Sequence, residues 1–389
     1  MFSFVRRMDV LLLGVTVVLT FFGLAMIASV SVFKSYQLTQ TNSLYLWKSS
    51  LNILVGFVVM GLASITPYRF WEKWSRVLYV GSIILLMSLF LPGLHEQFGS
   101  AQSWLNVGSR SFQPSELLKL TFIIYLSVWL QKREQFIATF QEGFIPFGIL
   151  LLVSTFLVAI QPDLGSFLVL ACIGATMFFI AGGNLFHLAM GASAAALLGL
   201  PVILQKEYIR NRFFAFLFPD DPGIRETIGF QIKQALIAIG SGGFFGVGYG
   251  KSIQKFGYLP EVQADMIFSA MAEELGFMRL MIVLALYTVL VYRGYRIARL
   301  APDRFGFLLA TGITTWIAVQ TAINMAVNLG IFPLTGLTLP FISYGGSSLI
   351  ALMAAVGILL NISAASTPAA SAIRRTPRKD PLLARSLFT

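Results

Sequence analysis

Val10-Leu-Leu-Leu-Gly-Val-Thr-Val-Val-Leu-Thr-Phe-Phe-Gly-Leu-Ala-Met-Ile-Ala-Ser-Val-Ser-Val-Phe33 contains no charged residue. As a helix it is long enough to cross a hydrocarbon core of about 30 Å. It is too long for the core of a signal peptide, and no small-residue cleavage site follows it, so it is expected to remain as an anchor. Similar apolar runs recur along the chain, giving expected helices near 10–33, 50–66, 77–92, 117–131, 145–160, 165–182, 185–204, 278–292, 305–328 and 346–363. The alternating pattern of a β-barrel is absent. The expected fold is therefore an all-α polytopic membrane protein of about ten transmembrane helices.

Composition agrees with that reading. Of 389 residues, 57% are hydrophobic and 12% charged, where a soluble domain carries roughly 25% charged residues. The net charge of +11 is explained by sidedness. With Arg6 and Arg7 inside, the alternate loops receive Arg69, Lys73, Arg76, Lys132, Arg133, Arg293, Arg296, Arg299 and Arg304, and the end of the chain adds Arg374, Arg375, Arg378, Lys379 and Arg385. Both termini are thus expected in the cytoplasm. No basic run interleaved with aromatics points to nucleic acid. Cys172 is the single cysteine, so an internal disulfide and a multi-cysteine metal site are both excluded. Residues 1–9 read as a cytoplasmic N-terminus, 10–363 as the transmembrane domain and 364–389 as a basic cytoplasmic tail.

The segment 205–277 breaks the pattern of short connections and reads as a large extracytoplasmic loop. Its middle, Phe230 to Phe245, is amphipathic and suggests interfacial helices. The glycines of Gly240-Ser-Gly-Gly-Phe-Phe-Gly-Val-Gly-Tyr-Gly-Lys-Ser252 do not make a phosphate loop, because Phe245 stands where that motif needs glycine. They read as tight turns and close backbone approaches. Only His95 and His187 are present, without zinc-site spacing, so acid–base chemistry falls to a carboxylate.

Three constellations stand out. In Tyr258-Leu-Pro-Glu-Val-Gln-Ala-Asp-Met266 the expected helix start at Pro260 would put Glu261 and Asp265 on one face, where like charges beside apolar neighbours raise one pKa. Acidic capping of a helix start is the alternative. In Ser103 to Lys119, Ser115 is a candidate N-cap, and Glu116 and Lys119 are spaced to pair, either as a structural ion pair or as catalytic groups. Leu334-Thr-Gly-Leu-Thr-Leu-Pro-Phe-Ile-Ser-Tyr-Gly-Gly-Ser-Ser348 is a polar hairpin between two spans, expected to line a cavity or to form a plain re-entrant turn.

Together with Gln161-Pro-Asp-Leu-Gly165 and Ile237-Ala-Ile-Gly-Ser-Gly-Gly243, these segments resemble, in family order from about Arg7 to Leu360, the SEDS family of shape, elongation, division and sporulation glycosyltransferases. The Leu334–Ser348 segment is closer to the division type than to the elongation type. The resemblance implies polymerisation of lipid II with release of prenyl pyrophosphate. Asp265 aligns with the family's catalytic aspartate, although Gln263-Ala264 replaces the family's usual His-Thr. Glu261, Glu116, Lys119, Gln113, Ser343, Tyr344, Gly345 and Gly346 are implied substrate-binding or supporting residues. Arg212 and Lys255 are the first choices to balance pyrophosphate charge. A divalent cation, Mg or Mn, is the one cofactor the resemblance admits. Implied partners are lipid II, membrane lipid, a class B penicillin-binding transpeptidase and other membrane proteins of the division machinery, at the septum of a bacterial inner membrane. The chain has no combined Ser-x-x-Lys and Lys-Thr-Gly set with which to cross-link strands itself. A lipid II flippase and a non-catalytic division scaffold are the competing readings. The flippase predicts polar groups midway through the spans, and the scaffold has no need of Asp265.

Overall fold

The computed structural model describes residues 7–91, 95–98, 101–107, 110–205, 207–220 and 228–366. The tip of the N-terminus and the basic tail beyond 366 lie outside the described residues, as do Lys206 and Arg225 of the large loop. Thirteen helices are present among the described residues: α1 Val10–Val30, α2 Val32–Thr39, α3 Leu44–Ile65, α4 Tyr68–Met87, α5 Pro114–Lys132, α6 Ile145–Ile160, α7 Leu164–Ile180, α8 Leu185–Gln205, α9 Glu207–Leu217, α10 Ile228–Gly242, α11 Ile267–Arg299, α12 Arg304–Asn328 and α13 Gly346–Ser366. Each of the ten expected segments falls within, or largely overlaps, one of them.

The protein is a polytopic membrane protein. Seven helical stretches among the described residues are long and apolar enough to span: Val10–Val30, Leu44–Ile65, Tyr68–Phe90, Phe140–Ile160, Ile267–Arg299, Arg304–Asn328 and Gly346–Ser366. Leu164–Ile180 and Leu185–Gly199 are shorter apolar helices, and α5 carries Glu116, Lys119 and Lys132. The centre of the bundle is α12 and α13, whose apolar windows are 72% and 78% buried, against 33% for α3. Peripheral helices present large apolar side chains outward, Phe21, Leu54, Ile84 and Phe156 among them, as lipid-facing helices do.

Small residues set the close packing. A Cβ on Gly357 of α13 would collide with the Met60 carbonyl of α3, and one on Gly23 of α1 would stand 2.6 Å from Ile342 of the hairpin. Polar side chains clamp the end of the bundle remote from that hairpin. Asp9 caps α1 through Leu12 N–H at 2.9 Å and pairs with Arg293 at 2.5 Å. Asn361 of α13 takes the N–H of Tyr68 at 2.9 Å and donates to Ser64 O at 2.7 Å, satisfying the turn between α3 and α4.

One element is added to the expected fold and one expectation is corrected. The α4–α5 connection contains an antiparallel three-stranded sheet, β1 His95–Phe98, β2 Ala101–Val107 and β3 Arg110–Phe112, with Glu96 opposite Trp104 and Leu105 opposite Phe112. The helical polytopic fold is as expected, with this small sheet added in one connection. This stretch is too short and polar to span, and Gly99-Ser100 and Gly108-Ser109 punctuate it as hairpin connections do. Secondly, no helix starts at Pro260. Residues 258–266 form turns, Glu261 takes a left-handed φ of 48°, and helix begins only at Ile267.

Candidate active site

The site grows from a break in α11. Gly276, at φ 73° and ψ 174°, interrupts the helix. The backbone groups this frees are taken up by the glycine-rich loop. Val247 and Gly248 N–H donate to the Glu273 and Glu274 carbonyls at 3.0 Å each, and Phe277 and Met278 N–H donate to the carbonyls of Gly243 and Phe244 at 3.0 and 3.1 Å. A Cβ on Gly276 would collide with Gly246 N, and one on Gly246 with the Glu274 carbonyl, so both positions need glycine. The close-approach reading of these glycines therefore agrees with the geometry.

The same loop is anchored by buried charge. Glu274 accepts from Ser29 of α1 at 2.6 Å and pairs with Lys255 at 3.3 Å, while Glu273 accepts from Ser252 Oγ at 2.5 Å and Ile253 N–H at 2.9 Å. Lys255 is 5% exposed and also donates to Gly250 O. The expectation that it balances pyrophosphate is corrected: burying a lysine requires a carboxylate beside it, and Glu274 fills that role.

Asp265 sits between this anchored loop and α12. Its carbonyl accepts from Asn324 Nδ2 at 3.0 Å and Asn328 Nδ2 at 2.9 Å, and Asn328 Oδ1 accepts from Ser269 N–H and Oγ at 3.1 and 2.8 Å. The carbonyl is held twice from one helix while the carboxyl Oδ1 has no hydrogen-bond partner. Burial, then the charge of Glu261, push the Asp265 carboxyl up to about 7, against the opposing pull of Arg212 and of the Asp265 and Met266 N–H groups. Glu261 thus remains electrostatically coupled to Asp265 without helical spacing. Gln263 Nε2 donates to Glu261 Oε2 at 3.1 Å. Arg212 of α9 stacks on Tyr208 at 4.3 Å and donates to Leu334 O at 2.9 Å, so it joins the large loop to the hairpin and lies within the field of Asp265.

The hairpin closes the other wall. Tyr344 N–H donates to Gln263 O at 2.8 Å, and its ring meets Tyr45 edge-on at 4.8 Å. Burial, then Tyr45, push the Tyr344 phenol up to about 12, so it stays a hydroxyl donor. Ser343 Oγ accepts from Leu339 N–H at 2.8 Å and is committed to the turn. Tyr344, Gly345 and Gly346 are half-buried. A Cβ on Gly346 would be 2.7 Å from Asn52 Nδ2, placing α3 at the same mouth.

Glu116 and Lys119 lie below, buried in α5. Lys119 Nζ donates to Glu116 Oε1 at 2.8 Å and Gln320 Oε1 at 3.2 Å and sits 5.3 Å from the Trp316 ring. Gln320 Nε2 donates onward to Thr338 O at 3.0 Å, tying the pair to the hairpin. Gln113 donates through Nε2 to Asp163 at 3.1 Å and through its N–H to Ser347 at 3.1 Å. Asp163, which also caps α7 through Ser166 N–H at 2.9 Å, and the amide stripe Gln320, Asn324 and Asn328 are not singled out by the sequence reading as site residues. The spacing of four between those amides, within an apolar span, is the available signal.

Among the described residues, no three His, Cys, Asp or Glu side chains converge to hold a metal.

Residues 9–367 match the FtsW, RodA and SpoVE family, described as cell cycle protein. The chain is 38% identical over 361 residues to a probable peptidoglycan glycosyltransferase FtsW of Geobacter sp. strain M18, covering 92% of this chain and 97% of that one. It is 40% identical over 363 residues to stage V sporulation protein E of Bacillus subtilis strain 168, covering 91% and 96%. Among solved structures it resembles a chain of a peptidoglycan synthase complex that coordinates polymerization and crosslinking, with TM-score 0.77, 28% identity and coverage of 92% and 98%. It also resembles the rod shape determining protein RodA of Thermus thermophilus, with TM-score 0.69, 26% identity and coverage of 92% and 97%.

Proposed function

Because this chain belongs to the FtsW, RodA and SpoVE family of cell cycle proteins, we propose that it is a peptidoglycan glycosyltransferase that polymerises lipid II into glycan strands. The observation that carries the site assignment is Asp265, with its peptide pinned by Asn324 and Asn328 and its Oδ1 unpartnered. A carboxylate so placed is ready to accept a proton. The acceptor sugar hydroxyl gives its proton to Asp265 as its oxygen attacks the anomeric carbon of the donor. The bond from that carbon to the prenyl pyrophosphate breaks with inversion, and the leaving group carries away the electron pair. Arg212 opposes the negative charge that develops there, and burial, with the charge of Glu261 added, keeps the Asp265 pKa near working pH.

The driving force resides in the pyrophosphate bond, which accords with a chain that has no nucleotide motif. Both termini lie in the cytoplasm on the charge distribution, with Asp265 on the outer face, and the work is done at the division septum. A class B penicillin-binding protein cross-links the product, in keeping with the similarity to the synthase complex. Among the described residues, the amide stripe in α12 is a feature that favours a transporter. Its donors, however, end on protein carbonyls of Asp265, Leu337 and Thr338 rather than on a free path. The test is glycan polymerisation from purified lipid II, read on gels. Asp265→Asn keeps the shape and is expected to lose on the order of 10² to 10⁴ in rate; wild-type yield from folded variant protein refutes the assignment.

A further inference from the structure

We infer that the end of the bundle remote from Asp265 holds a binding site for the phosphate headgroup of an anionic membrane lipid, in a cavity between α4 and α5. These antiparallel helices are closely joined midway, where the Tyr79 and Tyr125 rings stack at 4.8 Å and Ser82 Oγ lies 2.7 Å from Thr121 Oγ1. Beyond Tyr79, toward the start of α4, basic side chains border a gap between them. The gap is a cavity of about 450 Å³ floored by Ser75 and Val128 and walled by Arg69, Glu72, Lys73, Arg76 and Lys132. Arg69 to Leu86 spans roughly 25 Å of helix, and Leu86 O accepts from Gln161 Nε2 at 3.2 Å, beside the Asp163 corner. The cavity and the active site therefore sit at opposite membrane faces.

Charge in the cavity is lopsided. Arg69 is paired with Asp303 at 3.0 Å. Lys73, Arg76 and Lys132 form no ion pair among the described residues, and Glu72 is the only carboxylate in the wall. Clustered cations in a recess favour an anion, and guanidinium and ammonium donors suit phosphate oxygens. Basic pockets between transmembrane helices are the kind of feature that takes anionic headgroups.

Two further observations make the ligand a lipid rather than free phosphate. Aromatic rings crowd this end, with Phe70 against Trp71 at 5.4 Å, Phe70 against Trp74 at 6.2 Å, and Arg133 over Trp129 at 5.0 Å. Such residues mark headgroup depth. From Lys73 and Arg76, the exposed Val77, Val80 and Ile84 continue along α4 as an apolar stripe on which acyl chains can lie.

The full chain in neutral detergent, titrated with phosphatidylglycerol, phosphatidylcholine or inorganic phosphate and followed by thermal unfolding, tests this. Phosphatidylglycerol should raise Tm, and Lys73→Gln with Arg76→Gln should weaken its apparent affinity about thirtyfold. Arg296→Gln with Arg299→Gln removes the same charge from exposed positions on α11 and should leave that affinity near wild type. Equal stabilisation by phosphatidylcholine, an equal shift from inorganic phosphate alone, or equal weakening by both double variants would each overturn the proposal.

Discussion

Asn328 holds the Asp265 carbonyl from α12 at 2.9 Å while Asn324, one turn earlier, holds the same oxygen at 3.0 Å. Either amide can satisfy the acceptor alone, so the two are partly redundant. Asn324→Leu and Asn328→Leu should each lower polymerisation modestly. The double variant leaves the carbonyl without its clamp, at a cost of about 1–3 kcal/mol, and should lose more rate than the two single effects predict. Gel assays on all three variants make the cycle. Strict additivity would mean that the clamp does not position Asp265.

The raised pKa of Asp265 has opposite consequences for rate and stability. Catalysis needs the carboxylate, so kcat/KM should rise with pH through about 7 and level off above it. A folded pKa above the unfolded value means that the native state binds the proton more tightly. The stabilising contribution is complete below the unfolded pKa of about 4 and is lost as pH climbs through the folded value. Asp265→Asn should therefore be inactive yet more stable than wild type at pH near 8, with the gap closing toward acid. Thermal unfolding across pH measures it, and a gap that widens toward acid contradicts the sign.

Lys119 is fully buried with Glu116 and Gln320 as its partners. Removing one member of a buried pair strands the other charge, at roughly 3–5 kcal/mol. Glu116→Lys and Lys119→Glu should each destabilise the detergent-solubilised protein, and the two together should recover more stability than either. Should both single variants melt like wild type yet make no glycan, the pair acts on substrate instead.

The apolar runs make the helices legible because span length is fixed by the bilayer, and Asp265, Glu261 and the hairpin stand out as rare polar residues in an apolar chain, whereas Arg212 is singled out only by the family resemblance. What sequence hides is pairing at a distance. Lys255 looks like a free loop cation, but its partners, Glu274 and Ser29, are 19 and 226 residues away. Pro260 looks like a helix start, but Gln263 O is bonded to Tyr344 N–H and the chain turns instead. The stripe Gln320, Asn324 and Asn328 is visible as an i, i+4, i+8 pattern, yet its uncharged members draw no attention beside the carboxylates.

The interruption at Gly276 is rigid in a way that mutation can probe. A methyl group there would collide with Gly246 N on a backbone at φ 73° and ψ 174°, a region open essentially to glycine alone, so Gly276→Ala is expected to cost at least roughly 1–3 kcal/mol, with the clash added. Gly182, at φ 107° with nothing within 4 Å of an added Cβ, isolates the conformational part. A lower Tm for Gly276→Ala than for Gly182→Ala is the expected result.

The last expectation concerns the outer loop as a docking surface for the cross-linking partner. Phe244, Phe245, Ile253, Phe256 and Tyr258 are all more than half exposed on the segment that Glu273 and Glu274 anchor. An anchored base with an apolar crest suits contact with a second membrane protein, because the crest can move Asp265 and Glu261 only through the short stretch that joins them to it. The isolated chain should polymerise lipid II slowly, since only a fraction of its molecules hold the competent arrangement, and co-purified transpeptidase should raise turnover by shifting that population. Phe245→Ser with Ile253→Ser should blunt the rise. Full turnover by the isolated chain would mean that the loop is already organised and that the partner contributes cross-linking alone.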